Sequence, residues 1–397
     1  MSTLVPPTQP ESYAKKKNYT FEKTLGKGTF GVVRSATHRR PDGTKEPVAV
    51  KIISKHLLKG HEETVMREIE MVQSLDHPHI VKLIEWFESK DKVRVHRLHE
   101  FYLVFEAASG GELFDRLARG RFTERVACRT IHVVLEAINY MHHHNTVHRD
   151  IKPENILYRS EAEDANIVLV DFGIATHLRH QNDTNLHDMC GSIGYAAPEV
   201  VAKKHYGKQV DMWGLGVVTF CMLCGYAPFS SADPALFRRQ VECAEIKFDQ
   251  KYWATVSDEG IDFVKRCLTR DPDARITSDE ALQHPWFRLL DDTQQDDAHD
   301  IGAGIRENYR SRWKSAVATV RATQRFQTVG EVVKANAERA AHGEPPSPLF
   351  SDDEDEYFAA ATSQATPQDR PTNQNSADTP TSWAGLMARL HSLVHGS

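Results

Sequence analysis

Apolar and polar positions alternate along the first hundred residues, and the period of that alternation changes as the chain proceeds. From Tyr19 it is the period-two pattern of half-buried strands, through Phe21, Val32-Val33 and Val48-Ala49-Val50. A helical spacing follows around Thr64–Leu75, then two more strand-like runs at Val81–Phe87 and Phe101–Phe105. Beyond Gly110-Gly111 the spacing is helical for most of the way to Phe287. The pattern predicts an α+β, bilobal domain over 19–287: a small β-rich lobe over 19–108 and a larger helical lobe over 109–287.

The flanks differ in character. Residues 1–18 are rich in Pro, Ser and Lys and are expected to be disordered. Asp291–Asp300 is a polar, acidic break, and a basic amphipathic stretch runs from Ile305 to about Gln327. Residues 328–381 form an acidic tail with the composition of disorder. In the last segment, 382–395, Trp383, Leu386, Met387, Leu390, Leu393 and Val394 share one helical face, which implies docking in cis or to a partner. No internal repeat is visible.

Composition narrows the class. The 397 residues are 40% hydrophobic and 26% charged, as in a soluble globular protein. From Thr328 onward ten Asp/Glu stand against four Lys/Arg, so the tail accounts for the whole net charge of −6. The remainder is balanced, and nothing points to nucleic acid or a membrane surface as a partner. No apolar run approaches the roughly 18–20 residues of a membrane span. The start, Met1-Ser2-Thr3, has neither a secretory core nor a myristoylation glycine. Of six cysteines (Cys128, Cys190, Cys221, Cys224, Cys243, Cys267) only Cys221 and Cys224 have metal-like spacing, and they lie within an apolar run. Buried thiols in a reducing cytosol are the better reading. A cytoplasmic location, with the nucleus as a second compartment, is expected.

Candidate chemistry begins with Gly26-x-Gly28-x-x-Gly31-x-Val33. Alone the spacing is ambiguous, because dinucleotide folds share it, but here a valine-rich strand follows where that motif would open a helix. Glycines let backbone amides approach phosphate oxygens. Lys51 closes the apolar run Val48-Ala49-Val50, and Glu68 lies on the next helix; a phosphate and Glu68 would supply the partners such a lysine needs. In His148-Arg149-Asp150-Ile151-Lys152-Pro153-Glu154-Asn155, Asp150 can orient a hydroxyl and accept its proton, and Lys152 can neutralise a moving phosphoryl group. Asn155 and Asp171, the latter in Asp171-Phe172-Gly173, offer the hard oxygen ligands that Mg²⁺ prefers. Ala197-Pro198-Glu199, Asp211-x-Trp213-x-x-Gly216 and Arg275 complete the series.

In this order and spacing, residues 21–287 resemble a eukaryotic protein kinase domain. The resemblance implies a bilobal kinase fold with ATP and Mg²⁺ in the cleft. Around the nucleotide it places Leu25, Gly26, Lys27, Gly28, Gly31, Val33, Ala49 and Lys51. Phe105 would be the gatekeeper, Glu106–Ala108 the hinge whose backbone meets adenine, and Glu112 would stand at the cleft's mouth. The resemblance also implies a Glu199–Arg275 pair inside the large lobe. The form Asp150-Ile-Lys-Pro-Glu-Asn155 is that of serine/threonine kinases.

Narrower strings, Leu103–Arg116, Gly225-Tyr-Ala-Pro-Phe229 and His284-Pro-Trp-Phe287, resemble the calcium/calmodulin-dependent kinases, type I-like and fungal members included. That resemblance implies protein substrates with a basic residue three positions before the target, met by Glu112 and Glu154. It also implies autoinhibition through 288–327, relieved by Ca²⁺–calmodulin. Ile305–Phe326 holds six Arg/Lys and one Glu, a net +5. Trp313, Val317, Val320 and Phe326 stand at positions 1, 5, 8 and 14, with the first three on one face and an aromatic anchor at each end. Two departures from the family stand out. Val93–Glu100 is an insertion that most relatives lack, and Asp188 occupies the place of an activating threonine. There its carboxylate would answer Arg149. His142-His143-His144, before the catalytic loop, are expected to be solvated histidines at a helix end.

Overall fold

The period-two segments pair as one antiparallel sheet of five strands: β1 (Tyr19–Gly28), β2 (Gly31–Arg39), β3 (Lys45–Ser54), β4 (Leu83–Val93) and β5 (His96–Glu106), in the order β1-β2-β3-β5-β4. This is a computed structural model that describes residues 11–28, 31–54, 62–93, 96–117, 122–162, 164–172, 175–178, 180, 183–184, 186, 191–229, 234–291 and 301. The chain divides into units 1–324 and 325–397, and every described residue lies in the first.

The alternation decides which side of each strand is buried. Val48, Val50, Tyr102, Val104 and Phe87 form a small cluster with Tyr19 on the outer face. Ile53, Phe101, Leu103 and Leu83 join the main core with Ile69 and Val72 of α1 (Glu62–Ser74) on the inner face. Register places Lys51 opposite Val33 on β2 and Leu103 on β5.

Residues 11–18 correct the expectation of disorder: Glu11–Asn18 is a 3-10 helix lying along β4. Its lysines look solvated in the sequence, but polar groups on the sheet wait opposite. Lys15 Nζ is 2.7 Å from Glu85, Lys16 Nζ donates to the Tyr102 hydroxyl at 2.7 Å, and Ser12 Oγ accepts from the Glu88 N–H at 3.2 Å. The insertion lengthens the β4–β5 hairpin. Pairing continues to Val93↔His96, whereas β3 leaves β5 at Ser54↔Glu100, so the hairpin runs on as a two-stranded ribbon.

The large lobe contains α2 (Leu113–Leu117), α3 (Glu124–His143), α4 (Pro198–Val201), α5 (Gln209–Cys224), α6 (Pro234–Cys243), α7 (Gln250–Trp253), α8 (Asp258–Cys267) and α9 (Ser278–Leu282). The short strands β6 (Thr146–Val147) with β9 (Thr176–His177), and β7 (Ile156–Tyr158) with β8 (Ile167–Leu169), carry the loops facing the small lobe. Helix α3 starts where the Thr123 hydroxyl caps the Val126 N–H; α9 starts in a capping box of Thr277 and Glu280. Helix α5 has no polar face, and Val210–Cys224 is buried throughout, including Cys221 and Cys224. Glu199 and Arg275 form the expected bidentate pair, at 2.7 and 2.9 Å, with the guanidinium over the Trp213 ring. A 3-10 helix runs Pro285–Leu290, and Ile301 is again buried in the main core.

Candidate active site

Asp211, in the first turn of α5, organises the loop that precedes the site. Its carboxylate is wholly buried and accepts the backbone N–H groups of His148 (2.9 Å) and Arg149 (2.8 Å) and a contact from His142 Nε2 (3.0 Å). Burial works to raise this carboxyl, but the His142 and His148 contacts outweigh it and hold it below its ordinary value. Arg149 is thereby kept in a left-handed conformation, φ 67°, which an L side chain adopts only at a cost of roughly 1–2 kcal/mol. His142 corrects the solvated reading: it is buried, with Nδ1 3.2 Å from Ser278 Oγ. His143 and His144 are exposed, and His143 pairs with Asp279.

The turn at Arg149 presents Asp150. Its Oδ2 receives Lys152 Nζ at 2.5 Å and Asn155 Nδ2 at 3.0 Å, and its Oδ1 receives the Ser192 N–H at 3.0 Å. Lys152 also donates to Ser192 Oγ at 2.8 Å. Ser192 reaches this position because Gly191 precedes it with φ 93°; a Cβ there would stand 2.6 Å from the Arg149 carbonyl. Spacing along the sequence gives Gly191 no role. Only the close approach of two backbones reveals that role.

Across the cleft, Lys51 Nζ donates to Asp171 Oδ1 at 2.7 Å, joining the lobes. Burial pushes the Asp171 carboxyl up, while the Lys51 ammonium and its hydrogen bond pull it further down, so it lies below its ordinary value. Asp171 has φ 63°, and Phe172 beside it is buried edge-on against His148. Asn155 Nδ2 is engaged by Asp150, so Oδ1 is the atom it can offer a cation. Oxygen from Asn155 and from an ionised Asp171 suits Mg²⁺, which leaves most of its octahedral shell to phosphate and water.

Above the cleft, Gly31 lies so close to β3 that a Cβ would stand 1.8 Å from the Ile52 carbonyl. Val33, Ala49 and Phe105 are half-buried on β2, β3 and β5, with Ala49 opposite Phe105, while Leu25 and Gly26 are exposed on β1. Glu106 donates its N–H to the Lys82 carbonyl at 3.1 Å, so its own carbonyl is the group it can turn to a base; Ala108 is half-buried. Glu112 forms a bridge with Leu157, beside the 3-10 helix Pro153–Asn155 that carries Glu154, so residues distant in sequence flank one end of the site.

Residues 19–287 match the family model of the protein kinase domain. The calcium/calmodulin-dependent protein kinase cmkA of Emericella nidulans is 45% identical over 322 residues, covering 81% of this chain and 74% of the relative. A calcium/calmodulin-dependent protein kinase of Metarhizium anisopliae is 44% identical over 324 residues, 81% of this chain and 80% of that one. The chain belongs to the calcium/calmodulin-dependent protein kinase family. The human type 1B enzyme, at 38% over 317 residues, covers 79% of this kinase and 88% of its own length.

Other residues singled out in the kinase's sequence are described in their backbone alone or not at all. Glu68 lies on α1 and Lys27 and Gly28 on β1, with side chains outside the described residues. Asp188, Gly173, Trp313, Val317, Val320 and Phe326 lie outside the described residues altogether. Arg149 is described, and its Nη1 donates to the Tyr206 hydroxyl at 3.2 Å. Among the described residues no helix is long and apolar enough to cross a membrane.

Proposed function

We propose that the kinase transfers the γ-phosphoryl group of Mg²⁺–ATP to serine or threonine, with a basic residue three positions before the target, and is switched by Ca²⁺–calmodulin. The observation that carries the catalytic part is the convergence on Asp150 of Lys152, Asn155 and Ser192 within 3.0 Å. Asp150 aligns the hydroxyl and takes its proton as the oxygen attacks the γ-phosphorus, and ADP departs. Lys152 sets positive charge beside the transferred group, and the Ser192 N–H and Oγ hold Asp150 and Lys152 in place. Lys51 and the glycine strands fix the nucleotide from above, while Phe105 to Ala108 frame the base. Asn155 and Asp171 would hold Mg²⁺, which supplies charge compensation for the phosphates when bound. Catalysis of this kind is positioning and electrostatics rather than covalent chemistry.

For the substrate, the support is the bridge of Glu112 to Leu157, three residues past Glu154, which would let the two carboxylates serve an arginine or lysine together. For the switch, the support is the net +5 segment Ile305–Phe326 and the return of the chain to the core at Ile301, 5% exposed, just before it. The same segment can shield the cleft and be captured by calmodulin through Trp313 and Phe326. Peptide phosphorylation titrated with calmodulin, with and without Ca²⁺, tests this. Truncation after Gly302, which keeps Ile301 in the core, should give activity independent of calmodulin, and Trp313→Ala should weaken calmodulin binding by about 2 kcal/mol or more. A truncated chain no more active than the full chain without calmodulin would refute autoinhibition by this segment.

A further inference from the structure

The hinge carries an ionic contact that phosphoryl transfer itself does not use. Glu106 ends β5; its Oε2 accepts from Arg159 Nη1, and its Oε1 accepts from the Lys82 N–H at 3.0 Å. Arg159 belongs to the large lobe, immediately past β7, and its Nη2 donates to the Pro78 carbonyl at 2.9 Å, in the loop between α1 and β4. Its main chain is anchored as well. The Arg159 N–H donates to the Asn166 carbonyl at 2.8 Å, and its carbonyl accepts from the Ser109 N–H at 3.2 Å. One side chain therefore fastens the hinge, the small lobe's loop and the large lobe.

Two features give this contact a directing role rather than a merely stabilising one. A cavity of about 260 Å³ lies behind the hinge, lined by Leu75, Pro78, Ile80, Glu106 and Arg159 among others, so close packing does not fix Glu106 from that side. The pair is also partly solvated, with side-chain exposures of 34% for Arg159 and 24% for Glu106, and exposed ion pairs add little to stability. Arginine suits the task because its planar fork aims separate nitrogens at separate acceptors, which a lysine cannot reproduce.

We propose that Arg159 is a positioning residue for the nucleotide: by holding Glu106 against Pro78 and Lys82 it sets the angle at which the hinge peptides from Glu106 to Ala108 meet adenine. This rests on the hinge reading above. A base bound by two hinge hydrogen bonds needs both aligned at once, and such bonds weaken steeply when misdirected. Loosening the clamp therefore costs nucleotide affinity while leaving Asp150, Lys152 and Ser192 untouched.

The experiment uses the full chain with Ca²⁺–calmodulin and compares Arg159→Ala, Arg159→Lys, Glu106→Gln and the double variant Arg159→Ala/Glu106→Gln. Arg159→Ala should raise the KM for ATP and the Kd for ADP about tenfold, with peptide KM and saturating turnover within about twofold of the parent. Arg159→Lys should recover only part of the loss, and the double variant should be no worse than the single ones, since both residues act through one contact. Unchanged ATP and ADP affinities, or a parallel rise in peptide KM, would overturn the proposal. Phe105→Gly with N6-benzyl-ATP separates the two layers. If that variant uses the bulky nucleotide, the hinge reading stands and a silent Arg159→Ala sinks the clamp alone. A folded Phe105→Gly variant that binds neither nucleotide differently from the parent sinks the hinge reading and the clamp together.

Discussion

Replacing Asp211 with asparagine should separate the assembly of the catalytic loop from the stability of the lobe that carries it. The carboxylate serves the N–H groups of His148 and Arg149 through different oxygens, at 2.9 and 2.8 Å, and meets His142 at 3.0 Å. An amide has one acceptor oxygen, so its nitrogen must face a backbone donor. The loss is one charge-assisted bond, about 1.5–3 kcal/mol, and one buried donor left without an acceptor, about 1–3 kcal/mol, together roughly 3–5 kcal/mol. For a domain of this size that lowers the unfolding midpoint by roughly 10 °C. The left-handed turn at Arg149 relies on these bonds, and a displacement of Asp150 by about 1 Å costs turnover on the order of 100-fold. The assay is peptide phosphorylation beside thermal unfolding of the same preparation. The effect should also depend on pH. The folded Asp211 carboxyl lies below its ordinary 3.8, so the stability it contributes is complete above that value and is lost as pH falls through the folded one. The gap in stability between parent and Asp211→Asn should therefore narrow below about pH 4. Turnover within about threefold of the parent, with the midpoint unmoved, would refute the reasoning.

Gly31→Ala should lower stability by about 1–3 kcal/mol and raise the KM for ATP, because the added Cβ would meet the Ile52 carbonyl and force β2 away from β3 two positions from Val33 and Lys51; an unchanged KM would show that the strands part without disturbing the cleft. Arg275→Met should cost about 3–5 kcal/mol, seen as a lower denaturant midpoint, because Glu199 is left charged in the core; adding Glu199→Leu should return much of it. At Asp188, phosphorylation by an activating kinase should be unnecessary: in protein whose loop mass spectrometry shows unmodified, Asp188→Ala should lose turnover several-fold and Asp188→Glu should be largely spared.

The chemistry was legible because its residues come in short contiguous strings. Asp150, Lys152 and Asn155 fall within six positions, and their convergence follows from one loop and one 3-10 turn. The strands of the small lobe were legible where they have a core on one side. The run Val81–Phe87 became β4, Leu83–Val93, because Ser89-Lys90-Asp91-Lys92 is polar throughout and carries no apolar period to extend the strand by. The 3-10 helix Glu11–Asn18 escaped for a related reason. Its lysines bind groups on strands about seventy to ninety residues away, and a run of lysines carries no sign of that.

Long-range polar pairs are the part that spacing cannot show, yet one of them leaves a trace. His142 looks like any histidine near a helix end, and nothing local distinguishes it from His143, which is exposed. Asp211 is different, because it opens a helix whose next thirteen residues are all buried. A carboxylate carried into such a helix has to meet donors from elsewhere, since burying it alone would cost far more than a domain's net stability allows. Besides the His142 ring, the donors it finds are backbone N–H groups in a loop that forms no regular structure of its own. An isolated acid at the head of an apolar helix therefore predicts a strained loop nearby, and here that loop is the one bearing Asp150.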